Sequence, residues 1–137
     1  MKLTKIKLIN WHMFTDNEID VNGNLLITGD NGNGKSTLID AIFYLLSGGE
    51  ESKKNFNAAA NDESERTLIT YMRGKLGGEK KEFLRNDSSI ITHIALEFCY
   101  ENDGKSSVLG CIIAIENSSR PRAKFYIAMD KSLNDLK

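Results

Sequence analysis

The sequence predicts a mixed α/β domain, an α+β lobe in which a glycine-loop unit is followed by an antiparallel meander. Three observations predict it. Gly29-Asp30-Asn31-Gly32-Asn33-Gly34-Lys35-Ser36 fits the spacing G-x-x-x-x-G-K-[ST]. Behind it, Leu38, Ala41, Ile42, Leu45 and Leu46 recur at spacings of three and four, the period of a helix with one buried face. The last third of the chain alternates apolar and polar residues between turn signals, which is the period of strands.

The elements follow in order. Lys2 to Asn10 reads as a strand, with Leu3, Ile6, Leu8 and Ile9 as apolar positions, and Asn17 to Val21 as a second. Asn22-Gly23 marks a turn into Asn24-Leu25-Leu26-Ile27-Thr28, a short buried strand leading into the glycine loop. Thr37 to Leu46 is the helix, its face widened by Ile39 and Phe43, and Gly48-Gly49 ends it. Residues 50–65 are polar and irregular, which predicts a mobile loop. Arg66 to Arg73 gives one or two helical turns stopped by Gly74, and residues 74–88 form another loop. Ile90 to Tyr100, Val108 to Ile115 and Lys124 to Met129 are three strands. Glu101-Asn102-Asp103-Gly104 and Ser118 to Pro121 are the turns between them. The chain thus divides into a loop-and-helix unit (1–49), connecting loops with a short helix (50–89) and antiparallel strands (90–130), within a single partial domain, 1–137.

Composition narrows the function classes. A 137-residue chain with 40% hydrophobic residues has material for one core. The net charge of −1 gives no global basic signal for nucleic acid. No apolar run approaches the ~20 residues that span a bilayer. The N-terminus alternates from Met1 to Lys7 rather than forming the continuous apolar stretch of a signal peptide, so a cytoplasmic, non-membrane protein is expected. Cys99 and Cys111 lie in apolar strand-like runs and read as buried structural thiols.

The residue types of the glycine loop match phosphate chemistry. Glycines at positions 29, 32 and 34 let the backbone approach a ligand, and successive N–H groups form an anion nest opening onto a helix N-terminus. Lys35 is placed to reach β- and γ-phosphate oxygens, and the Ser36 hydroxyl to bind Mg²⁺. The nucleotide-binding candidates are therefore Gly29, Asn31, Gly32, Asn33, Gly34, Lys35, Ser36 and Thr37, with Ser36 the metal ligand. A nucleoside triphosphate and Mg²⁺ are the expected cofactors, with adenine or guanine left open because no base-reading motif is found, and no residue of the chain is assigned as catalytic.

Two further stretches imitate catalytic motifs. Leu46-Ser47-Gly48-Gly49-Glu50 resembles an ABC-type signature, but it stands at the end of a helix, where the polarity is wrong for an anion. Phe125 to Asp130 resembles a Walker B strand, yet Lys131 stands where a catalytic Glu is expected, and Ile112 to Glu116 also ends in a lone carboxylate. The first reads as a plain helix C-cap, and the runs ending at Asp130 and Glu116 read as ordinary strand ends.

The order of these parts resembles the N-terminal lobe of an SMC-like ABC ATPase head, in which two antiparallel strands precede the P-loop strand. Ile6-Lys7-Leu8-Ile9-Asn10-Trp11 with Phe14, and Asn31 to Thr37, are similar to the MukB-like branch. Arg66-Thr67-Leu68 through Tyr71-Met72-Arg73-Gly74-Lys75 is similar to a segment of the MksB and JetC proteins, the latter belonging to Wadjet plasmid defence. The resemblance implies an ATP site shared between two heads, which ATP holds together and hydrolysis releases. It implies a second copy of the head, a C-terminal lobe, kleisin-type and accessory subunits and DNA as partners, in a bacterial, nucleoid-associated setting. It also implies a basic residue near the phosphates at His12, and a coupling of nucleotide to DNA through Arg66, Arg73 or Lys75. Lys53, Lys54, Lys75, Lys80, Lys81 and Arg85 are loop cations able to meet phosphates. A signature motif, a Walker B Asp-Glu pair and the Q-loop glutamine are not found, and the sequence holds no glutamine. The chain therefore reads as a lobe with little or no hydrolysis of its own. The other readings are a RecF/RecN-like DNA-repair ATPase head fragment, a small P-loop phosphotransferase and a nucleic-acid-binding module with a vestigial nucleotide site.

Overall fold

The computed structural model describes residues 1–22, 24–30, 34–50, 68–75, 82–117 and 119–137. Its elements are β1 (Lys2–Trp11), β2 (Phe14–Asp20), α1 (Lys35–Leu46), α2 (Leu68–Arg73), β3 (Ser89–Cys99), β4 (Ser106–Glu116), β5 (Arg122–Ala128) and a 3-10 turn (Leu133–Leu136). The strands form one five-stranded antiparallel sheet in the order β2-β1-β3-β4-β5. The expected meander is β3, β4 and β5, and β1 joins it through β3, with Ile6 opposite Leu96 and Leu8 opposite Ile94.

One sheet face carries the main core. Ile6, Leu8, Ile94, Leu96, Cys111 and Ile113 point into it, and Leu38, Ala41, Tyr44 and Leu45 of α1 and Leu68, Tyr71 and Met72 of α2 cover it. Among the described residues the other face is covered near the β3–β4 hairpin, where Leu133 packs on Ala95 and Val108. Buried Glu97 holds that turn in place: its carboxylate accepts from the Leu133 N–H at 2.8 Å and from the Thr4 hydroxyl at 2.9 Å. Cys99 and Cys111 are free thiols, and burial pushes the Cys111 thiol up to about 12.

Several sequence expectations need correction. Asn24 to Thr28 is not a strand. Both sides of β1 are already paired, by β2 and β3, so the segment cannot lie beside β1 as a P-loop strand would, and Leu26 is 85% exposed. The second strand starts at Phe14, earlier than expected, because Trp11 pairs with Phe14 in a tight hairpin. The buried face of α1 is rotated: Asp40 and Tyr44 are inside, whereas Phe43 and Leu46 are exposed. The loop expected over 50–65 lies, except for Glu50, outside the described residues, as do Gly23 and Ser118 of two expected turns.

Alternation also fails at the end of β1. Ile6 and Leu8 face the core, so a regular strand would turn Trp11 to the opposite face. Asn10 has φ 51, a left-handed conformation that Asn tolerates better than most residues. The reversal sends Trp11 into the core, fully buried. Its ring stacks on Tyr71 with centroids 4.6 Å apart and lies 6.1 Å from Tyr44.

Candidate functional site

The glycine loop leads directly into α1, which starts at Lys35. Gly34 is the N-cap residue, with φ 84 and ψ 8, and no side chain caps the helix. No acidic residue occupies the first turn. The N-terminal end of α1 therefore keeps its partial positive charge without a carboxylate of its own, an arrangement that suits a phosphate. The Lys35 ammonium donates to the carbonyls of Gly29 and Asp30, which folds it back over the loop. Asn31, Gly32 and Asn33 lie outside the described residues.

The β1–β2 hairpin supports this loop. A Cβ at Gly34 would stand 2.7 Å from Met13 Sδ, so a larger residue would have to push the Met13 side chain aside as well as adopt a left-handed φ of 84. His12, beside Met13, has φ 47, and its N–H donates to the Tyr71 carbonyl. Trp11 donates its indole N–H to the Thr37 carbonyl at 2.9 Å. On the buried side of α1, the Asp40 carboxylate accepts the Tyr71 hydroxyl. The residues flanking the loop are thus tied to β1 and α2.

The basic candidates separate. Arg73 donates to the carbonyls of Arg85 and Asp87, each at 3.3 Å, which uses it to hold the 85–87 segment. Lys75 pairs with Phe83 in an isolated bridge. Arg66, Lys53, Lys54, Lys80 and Lys81 lie outside the described residues. Arg85, expected as a loop cation, points inward instead. Its guanidinium donates to Asn10 Oδ1 at 3.0 Å and to the carbonyls of His12, Phe14 and Met72 at 2.8, 3.1 and 3.3 Å. Burial lowers its pKa, and these four acceptors offset the desolvation. A cleft of about 380 Å³ opens beside it, lined by Asn10, Thr15, Leu84 and Asp87 among others and by no described residue of the glycine loop.

The imitation motifs keep their plain readings. Gly48 and Gly49 have φ 71 and 89 and cap the C-terminal end of α1, their N–H groups donating to the Leu45 and Tyr44 carbonyls. Asp130 lies past β5 and pairs with Lys105 at 3.4 Å, at the β3–β4 hairpin end of the sheet. The Trp11–Thr37 contact is at the other end. Among the described residues no cluster of His, Cys, Asp or Glu could hold a metal, and no helix is long and apolar enough to cross a membrane.

The loop, its helix and the sheet define a nucleotide-binding P-loop fold of mixed α/β type with an antiparallel sheet. The family model for the P-loop containing region of AAA domain matches residues 3–63. The N-terminal part of the chain is a P-loop NTPase domain of the AAA type, and its P-loop binds an ATP-type nucleotide. No curated protein matches the chain.

Proposed function

We infer that the chain is the ATP-binding lobe of an SMC-like DNA-organising ATPase, of a condensin-like or plasmid-defence system. The observation that carries this reading is the hairpin in front of the loop. Two antiparallel strands precede the glycine loop, β1 is an interior strand of the sheet, and Met13 at the hairpin tip abuts Gly34. The antiparallel strands β3 to β5 after α1 and α2 agree with it. In this reading Lys35 leaves the Gly29 and Asp30 carbonyls for the phosphates, backbone N–H groups from Gly29 to Ser36 cradle them, and Thr37 follows in the first turn. The Ser36 hydroxyl holds Mg²⁺, which neutralises charge on the β- and γ-phosphates. His12 stands next to Met13 in the same hairpin turn, its ring edge against Tyr71, and in this reading it is the basic residue near the phosphates. The partners are a second head, a C-terminal lobe, kleisin-type subunits and DNA, with Arg66, Arg73 or Lys75 coupling DNA to nucleotide.

A small phosphotransferase would need Asp130 at the metal, and its pairing with Lys105 at the far end of the sheet argues against that. The test is nucleotide binding and turnover by the purified chain. Mg²⁺-dependent ATP binding that is lost in Lys35→Ala, without steady-state hydrolysis, is expected. Hydrolysis by this chain alone, abolished by Lys35→Ala, overturns the half-site reading.

A further inference from the structure

The two edges of the sheet are unlike. On β2, Asp16 and Glu18 are matched by Lys7 and Lys5, at 2.5 and 2.9 Å, and Lys137 also reaches Glu18 at 3.9 Å. That edge is polar and electrostatically satisfied. On β5 the register with β4 puts Arg122 and Lys124 on the outer face, opposite Ala114 and Ile112, and Phe125 and Ile127 on the helix face, opposite Cys111 and Leu109. Among the described residues no carboxylate lies within ion-pair distance of Arg120, Arg122 or Lys124. Phe125 is 40% exposed and Ile127 67%. Among the described residues only β4 pairs with β5, and its other edge presents main-chain donors and acceptors.

We propose that β5 is a strand-addition site that takes an extended segment of a partner protein in which apolar and acidic side chains alternate. Main-chain hydrogen bonds supply the docking, and the pleat decides the sequence. One set of partner side chains falls beside Phe125 and Ile127 and is apolar. The alternate set falls beside Arg122 and Lys124 and is acidic, since cations there would meet like charge. The same cations disfavour β5 of a second copy as the occupant. The site is independent of the nucleotide and is tested without it.

The probe is a fluorescent synthetic peptide of alternating glutamate and valine, with the same residues in two blocks as control. Binding is read by anisotropy and by amide hydrogen exchange of the full chain. The alternating peptide binds in a salt-sensitive way and slows exchange in β5 but not in β2. The block peptide binds at least about tenfold more weakly, and the double variant Arg122→Glu/Lys124→Glu loses about as much. That variant gains binding to an alternating lysine–valine peptide. Ile127→Lys, at an exposed position that leaves the core intact, weakens binding comparably. No binding, equal binding of both arrangements, or protection of β2 overturns the proposal. So does self-association that covers β5 without peptide, or DNA competing for Arg122 and Lys124 while the peptide does not bind.

Discussion

The indole N–H of Trp11 donates to the backbone carbonyl of Thr37, 2.9 Å away, and so fixes the end of β1 to the first turn of the P-loop helix. Replacing Trp11 with Phe keeps an aromatic ring against Tyr71 but removes the donor. The expected cost is about 1–2 kcal/mol in urea unfolding, from the lost hydrogen bond and reduced burial. Trp11→Ala opens a cavity and costs about 3–5 kcal/mol.

Gly34 is held by two constraints that substitution separates. Alanine at φ 84 is strained by about 1–2 kcal/mol, and its Cβ meets Met13 Sδ. Gly34→Ala should weaken ATP binding by about tenfold or more. Adding Met13→Ala relieves the overlap but not the dihedral, so titration of the double variant should show partial recovery. Full recovery would show that the dihedral is irrelevant.

The Asp40–Tyr71 hydrogen bond joins α1 to α2 inside the core. Tyr71→Phe takes a donor from a buried carboxylate and should destabilise by about 1–3 kcal/mol. Asp40→Ala combined with Tyr71→Phe should cost less than the sum of the two single changes, because the residues share one interaction. Additive values in a double-mutant cycle would refute the coupling.

His93 makes a hydrogen bond with the Tyr126 hydroxyl at 2.7 Å, and that ring lies where a Cβ of Gly110 would be. Burial, and secondarily the charge of Lys7, hold the His93 pKa below its ordinary value of 6.5. The unfolded chain therefore takes up this proton before the folded one does. Stability is full above that ordinary value and falls as pH drops below it. Urea midpoints should decline between about pH 7.5 and about pH 5.5, and His93→Gln should flatten that decline. The carboxylates with lowered pKa, Glu18, Glu101 and Asp135, act in the same direction but at lower pH.

Much of this architecture was legible because period and turn chemistry are local. The alternation of β3 and β4, the turn at Gly104 and the glycine cap of α1 all needed only near neighbours. What depended on distant partners was not legible. Leu25-Leu26-Ile27 has the composition of a strand, but a strand also needs a free edge, and β1 offers none. The apolar period of α1 does not include Asp40, and only the fold brings Tyr71, 31 residues away, to supply its hydrogen bond inside. Arg85 had the signature of a loop cation, and only the fold brings the Asn10 amide and three carbonyls to its guanidinium. For the site, the motif identified the loop and its lysine. The supporting role of Trp11 and Met13 required knowing that the hairpin folds back onto α1.

The left-handed residue at Asn10 makes β1 a strand of two phases. From Lys5 to Ile9 it keeps step with β3, and after Asn10 it answers to α1. An insertion of one residue near the bulge between Leu3 and Lys5 would be absorbed at a place where the register already shifts. The same insertion between Leu8 and Trp11 would set the indole half a period out of step and carry the anchor of the phosphate loop to the wrong side of the sheet. A single backbone dihedral thus acts as the coupling between a sheet that counts in twos and a nucleotide loop carried by a helix that counts in 3.6.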